Sequence, residues 1–120
     1  DALEVCATEY ACQGLELDVV GVAWGGDWTR GAGGWRARAF AGTRWNEVHK
    51  PLDRMYVRNS YRVLLTRARY ETIIWVPPGD DADVTRPCAE MDAVAEFLLA
   101  CGARPLGAPA EAREAVPVLL

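Results

Sequence analysis

The sequence predicts an α/β protein with a mostly parallel sheet flanked by helices and broken by a loop or hairpin insertion. Two apolar runs lead to this class: Leu17 to Trp24, rich in valine, and T-I-I-W-V at Thr72 to Val76. Near-continuous apolar runs of this length mark strands buried on both faces, as in parallel sheets. Between them Pro51 to about Arg69 has helical periodicity, long enough for the crossover that two parallel strands require.

The elements follow in order. L-E-V-C-A-T, Leu3 to Thr8, alternates apolar and polar residues and predicts a short strand. Glu9 to Gln13 fits one helical turn closed by Gly14, and Gly25-Gly26 ends the next strand. Residues 25 to 50 read as the insertion, with G-A-G-G at Gly31 to Gly34 as a loop and W-R-A-R-A-F as a hairpin arm. Pro51 suits the first turn of the long helix. Pro77-Pro78 stops the strand Thr72 to Val76, and an acidic loop follows from Gly79 to Asp83. Arg86 to Cys101 predicts a helix with Met91, Val94, Ala95, Leu98 and Leu99 on one face and Gly102 as its stop. Residues 1–104 thus read as one domain part, and 105–120, rich in Ala, Pro and Glu, as a loosely docked tail.

The chain has 120 residues, a 51% apolar share and a mean hydropathy of -0.06, as expected of an ordinary globular protein. Its apolar runs fall far short of the roughly 18 residues that span a bilayer, and no signal-peptide pattern opens it. It begins without Met and within a strand-like pattern, which predicts an excised piece of a longer protein. Cys6, Cys12, Cys88 and Cys101 form no C-x-x-C pair and His49 is the sole histidine, so no metal site is expected. Cys6 and Cys101 have apolar neighbours, which predicts small buried side chains; reduced thiols fit a cytoplasmic protein.

Charge is unevenly spread. Arg30 to Arg69 holds ten basic and two acidic residues, a local charge of +8, while the rest carries three basic and fifteen acidic residues. A basic middle in an acidic chain suits either a phosphate-binding face or a solvated arginine-rich helix. On a helical wheel Arg54, Arg58, Arg62 and Arg69 fall together, at about 200 to 280° from Leu52. Arg67 falls between two apolar groups, one containing Leu52, Tyr56 and Val63, the other Val57, Leu64 and Ala68. A guanidinium there needs an anionic partner, or it bonds the last helix carbonyls.

T-E-Y-A-C-Q-G-L-E-L-D, Thr8 to Asp18, resembles motif V of superfamily 1 helicases, in which Thr-x-His-x-x-Lys-Gly-Leu-Glu-Phe precedes a core strand. N-S-Y-R-V-L-L-T-R-A-R, Asn59 to Arg69, resembles motif VI with its Leu-Thr-Arg-Ala-Arg core. Order, spacing and the following T-I-I-W-V agree, and the whole is similar to the Schlafen group 3-like DNA/RNA helicase domain family. The resemblance implies part of a RecA-like, P-loop NTPase-type fold. It also implies that Arg67 is the arginine finger that reaches the γ-phosphate, a role worth about 10³- to 10⁵-fold in rate. Glu16 would lie by the ribose of ATP, Gly14 would admit close backbone approach, and Arg69 would aid the nucleotide site or belong to the exposed stripe. Thr8, Tyr10 and Gln13 occupy positions that face nucleic acid in related helicases. Tyr10 replaces a His and Gln13 a Lys, so one charged phosphate contact is lost there; Tyr10 either stacks on a base or packs on the sheet.

Other residues have plainer roles open. Tyr61 suits packing; Trp24, Trp28, Trp35 and Trp45 either anchor the insertion or stack bases; Asp80, Asp81 and Asp83 suit a solvated turn. The sequence has no G-x-x-x-x-G-K-[ST] phosphate loop and no strand ending in paired acids for Mg²⁺. The resemblance therefore implies the C-terminal fragment of an ATP-dependent DNA/RNA helicase or translocase, inert alone. ATP with Mg²⁺ would be held mainly by an N-terminal RecA-like domain of the same parent chain, and single-stranded DNA or RNA would be the other partner, with no membrane. The alternative is a non-catalytic module that binds nucleic acid or protein.

Overall fold

Val19, Val20 and Val22 are β-branched and favour an extended backbone, and Leu17–Ala23 forms strand β1. In the computed structural model, which describes Thr8, Ala11, residues 14–107 and the backbone of 116–119, β1 pairs in parallel with β5, Ala68–Val76. The sheet runs β1-β5-β7-β6, with β6 at Arg104–Pro105 and β7 at Val116–Leu119. β7 lies antiparallel to both β5 and β6. The sheet is therefore mixed rather than mostly parallel. Ten residues, 106–115, link β6 to β7, fewer than the dozen or so that a parallel crossover takes. β7 also makes a sheet strand of part of the tail that was expected to dock loosely. The predicted strand Leu3 to Thr8 lies outside the described residues, save Thr8.

Burial is one-sided, whereas both faces of the apolar strands were expected to be covered. Val22, Ile74 and Val76 join Met91, Val94, Leu98 and Tyr61 in one core cluster. Strand residues alternate sides, so the opposite face presents Val19 and Trp75, which are 54% and 43% exposed. Both described helices contribute to the same cluster and leave that second face open.

Helix α1, Pro51–Leu65, begins on its expected proline but ends four residues before the predicted Arg69. Thr66 closes it: its N–H donates to Val63 O at 3.2 Å and its hydroxyl to Arg62 O at 2.8 Å. The Leu17 N–H donates to Arg67 O at 2.9 Å, and Ala68 pairs with Leu17, so sheet pairing captures the chain one residue past the cap. Arg67 thus sits in the joint and Arg69 on β5, which removes both from the helical wheel. Leu52 and Tyr56, expected to pack, are exposed, because the first half of α1 stands away from the core. Tyr61 is its buried residue, as expected of a packing side chain. The Tyr61 hydroxyl accepts the Gly25 N–H at 3.0 Å and donates to Asp27 Oδ1.

The insertion is a three-stranded antiparallel meander: β2 at Trp28–Gly31, β3 at Gly34–Ala41 and β4 at Arg44–Glu47. Gly42, at φ +66°, opens the two-residue β3–β4 turn, a conformation that fits glycine first in a tight hairpin. The meander is pinned by Trp45, whose indole N–H donates to Thr85 O at 3.1 Å, and by Arg38 against Glu90. Arg38 Nη2 lies 2.6 Å from Glu90 Oε1 as a close ion pair without hydrogen-bond alignment, while Nη1 donates to Oε2 at 3.3 Å.

Helix α2, Cys88–Ala100, stops as predicted at Gly102, whose φ is +110°. Gly102 N–H donates to Leu99 O and Ala103 N–H to Leu98 O, the paired bonds of a left-handed helix end, with Ala103 buried against Leu98 in the core cluster. Cys101 is exposed, contrary to the expectation from its apolar neighbours, because this turn carries it past the buried face. No described helix is long and apolar enough to cross a membrane.

The acids before α2 build its entry. Asp81 accepts the Cys88 N–H at 3.0 Å, supplying an acceptor to the helix start. Asp83 accepts from the Thr85 hydroxyl, the Thr85 N–H and Arg86 Nε, bonds that hold its carboxyl at a pKa of about 2 against an ordinary 3.8. A depressed folded value means the stabilisation is complete above about pH 4 and drains away as pH falls towards 2. Carboxyl NMR titration should find Asp83 ionising near that value, and Thr85→Val should move the midpoint upward. An unmoved midpoint would rule out the hydroxyl as the main cause.

Candidate nucleotide-side site

The two motif-like segments meet at the amino ends of β1 and β5. Arg67 joins them. Its Nε donates to Val63 O at 3.1 Å, its Nη1 to Leu15 O at 3.4 Å and its Nη2 to Thr66 Oγ1 at 3.2 Å. One guanidinium therefore caps α1 and holds the strand that enters β1. Of the two roles left open by the sequence, the carbonyl-bonded one is the one occupied here. All three acceptors are neutral, and a phosphate oxygen is a stronger partner for a guanidinium than any of them.

Arg69 faces two carboxylates, with Nε 3.7 Å from Glu16 Oε2 and Nη1 3.9 Å from Asp18 Oδ1. These side chains are 54%, 73% and 68% exposed, so the pairs are weak and easily exchanged for another partner. Gly14 lies two residues before Glu16 at φ +81°, where a side chain would be strained although space around it is open. Glu16, Arg67 and Arg69 thus share one edge with Gly14 nearby in the chain. Thr8 is exposed, and Tyr10 and Gln13 lie outside the described residues.

Sequence reasoning missed Asp18 and Thr66 Oγ1. Asp18 shares Arg69 with Glu16 only because β1 and β5 pair, and that register is invisible along the chain. The site lies at the amino ends of the described parallel pair. At the carboxyl end of β5 a cavity of about 440 Å³ lies among Val76, Gly79, Arg86, Cys88 and Met91. Burial and the nearby Asp81 charge push the Cys88 thiol up, against the reactive thiolate form. Among the described residues no three His, Cys, Asp or Glu side chains converge as a metal would require.

Residues 1–78 match the family described as Schlafen group 3, DNA/RNA helicase domain. The chain belongs to that family. The Schlafen group 3 match takes in both motif-like segments, the meander and β5, whereas α2, β6 and β7 lie beyond it. Among curated proteins nothing matches, nor among solved structures. The chain is helicase-related by family and mixed α/β by structure.

Proposed function

We propose that this chain is the C-terminal part of the second RecA-like domain of an ATP-dependent DNA/RNA helicase or translocase. It supplies Arg67 as arginine finger, with Gly14, Glu16 and Arg69, to an ATP site shared with the N-terminal RecA-like domain of the same polypeptide. The observation that carries this is the convergence of Arg67 on both segments, within a chain of the helicase-domain family. The open sheet face at Val19 and Trp75 adds support, since apolar surface of this kind is what further domain structure covers.

The donor set suits one edge of a nucleotide. Arg67 and Arg69 are permanent cations for phosphate oxygens, Glu16 is an exposed acceptor for sugar hydroxyls, and Gly14 leaves its backbone unobstructed. It does not suit Mg²⁺ or the bulk of a triphosphate, for which the sequence holds neither a phosphate loop nor a strand ending in paired acids. Bound ATP would supply the phosphoryl group whose transfer drives movement. Arg67 would exchange its neutral acceptors for phosphate oxygens and stabilise charge as that group transfers. Glu16 would orient the sugar.

Steady-state ATP hydrolysis tests the assignment on the chain alone and on the chain joined to its N-terminal RecA-like domain. The expected result is no turnover alone and nucleic-acid-stimulated turnover when joined. Turnover by the chain alone, or none by the joined protein, would overturn it. The second account, a non-catalytic binding module, is favoured by one observation: among the described residues Arg58 and Arg62 have no acidic partner.

A further inference from the structure

Trp28 and Trp35 stack with ring centroids 5.2 Å apart and planes 5° from parallel. Phe97 meets Trp35 edge-on at 5.1 Å, and the Arg30 guanidinium lies over Trp35 and Phe97 at 5.2 and 4.4 Å. The four tryptophans in and beside the insertion divide by surroundings. Trp24 is buried with its indole N–H on Trp28 O, and Trp45 is tied to Thr85, so both anchor the meander. Trp28 and Trp35 are half-buried, and among the described residues neither indole N–H has a hydrogen-bond acceptor. They wall a cavity of about 370 Å³ that Arg58, Arg62 and Phe97 help to close, and an adjoining one of about 320 Å³ shares Trp28 and Arg58.

We infer that this cleft between meander, α1 and α2 binds single-stranded nucleic acid, with a base stacked at Trp28 and the flanking phosphates on Arg58 and Arg62. Trp35 covers one face of the Trp28 ring, and Trp28 lines both cavities, which is the arrangement of a stacking platform. Arg58 and Arg62 stand one turn apart, about 6 Å along α1, exposed and without acidic partners among the described residues. Charge and shape choose the occupant together. An acidic peptide would satisfy the arginines but leave the flat aromatic wall unused, and a duplex keeps its bases stacked away from a concave site. The inference deepens the nucleic-acid side of the proposed function and rests on it for the class of ligand.

The test titrates this chain with fluorescein-labelled oligothymidylate and oligouridylate, reading anisotropy and tryptophan emission at several salt concentrations. Binding should quench tryptophan, and Arg58→Glu or Arg62→Glu should weaken it and lower the salt slope by about one per arginine. Arg44→Glu, at the exposed tip of the meander, should leave affinity nearly unchanged. Trp28→Leu should cost about 5- to 150-fold and abolish the quench. Should Trp28→Leu fail to fold, the two arginine variants and the quench decide. Equal loss with Arg44→Glu, binding without quenching, or equal competition by oligoglutamate would each overturn the inference. A failed finger appears in ATP turnover by the joined protein, and a failed cleft in strand binding by this chain, so the two are separable.

Discussion

Replacing Arg67 with alanine is expected to lower ATP turnover of the joined protein by about 10³- to 10⁵-fold, with ATP affinity little changed. A finger acts on charge that develops as the phosphoryl group transfers, so its loss falls on kcat and spares ground-state binding. The structure adds a complication that the test must meet. Arg67 also caps Val63 O and holds Leu15 O, so alanine removes a fastening between α1 and β1 as well as a cation. Arg67→Lys and Arg67→Gln separate the effects. Glutamine keeps a donor for the carbonyls and loses the charge, so a catalytic role predicts near-normal thermal stability with collapsed kcat. Lysine keeps charge without the forked geometry and should recover only part of the rate. Turnover that follows thermal stability across the three variants, or persists in alanine, would make Arg67 a helix-capping residue alone.

The site and the fold were legible to different depths. Gly102 was readable as a helix stop because the bonds that close the helix, Gly102 N–H to Leu99 O and Ala103 N–H to Leu98 O, are local, and a local pattern is what a sequence displays. The apolar runs announced β1 and β5 for the same reason. The end of α1 was not readable. Amphipathic spacing continues through Ala68 and Arg69, and what halts the helix is the Leu17 N–H reaching Arg67 O from far along the chain. That single pairing moves Arg69 from a helical stripe to a strand beside Glu16 and Asp18. One-sided burial was hidden likewise, since a run such as V-V-G-V-A-W shows apolarity and not which faces are covered.

Replacing Trp24 with alanine should cost about 3 to 5 kcal/mol, a large share of the about 5 to 15 kcal/mol that a domain possesses. Trp24 is 5% exposed and connects three layers. Its N–H continues the sheet by donating to Trp75 O at 2.9 Å, its ring meets Tyr61 of α1 at 4.4 Å, and its indole N–H donates to Trp28 O at 2.7 Å. Alanine would leave a cavity against Tyr61 and deprive the Trp28 carbonyl of its donor, so the meander should loosen before the parallel pair does. Hydrogen exchange should then show faster opening in β2 and β3 than in β1 and β5, alongside a lower denaturation midpoint. Trp24→Phe keeps most of the volume but not the indole N–H, and should fall between wild type and alanine. An alanine variant with an unchanged midpoint would mean the meander is held by the Arg38–Glu90 pair and Trp45 alone. The sheet and the insertion would then be independent units, whereas the bonds made by Trp24 make them one.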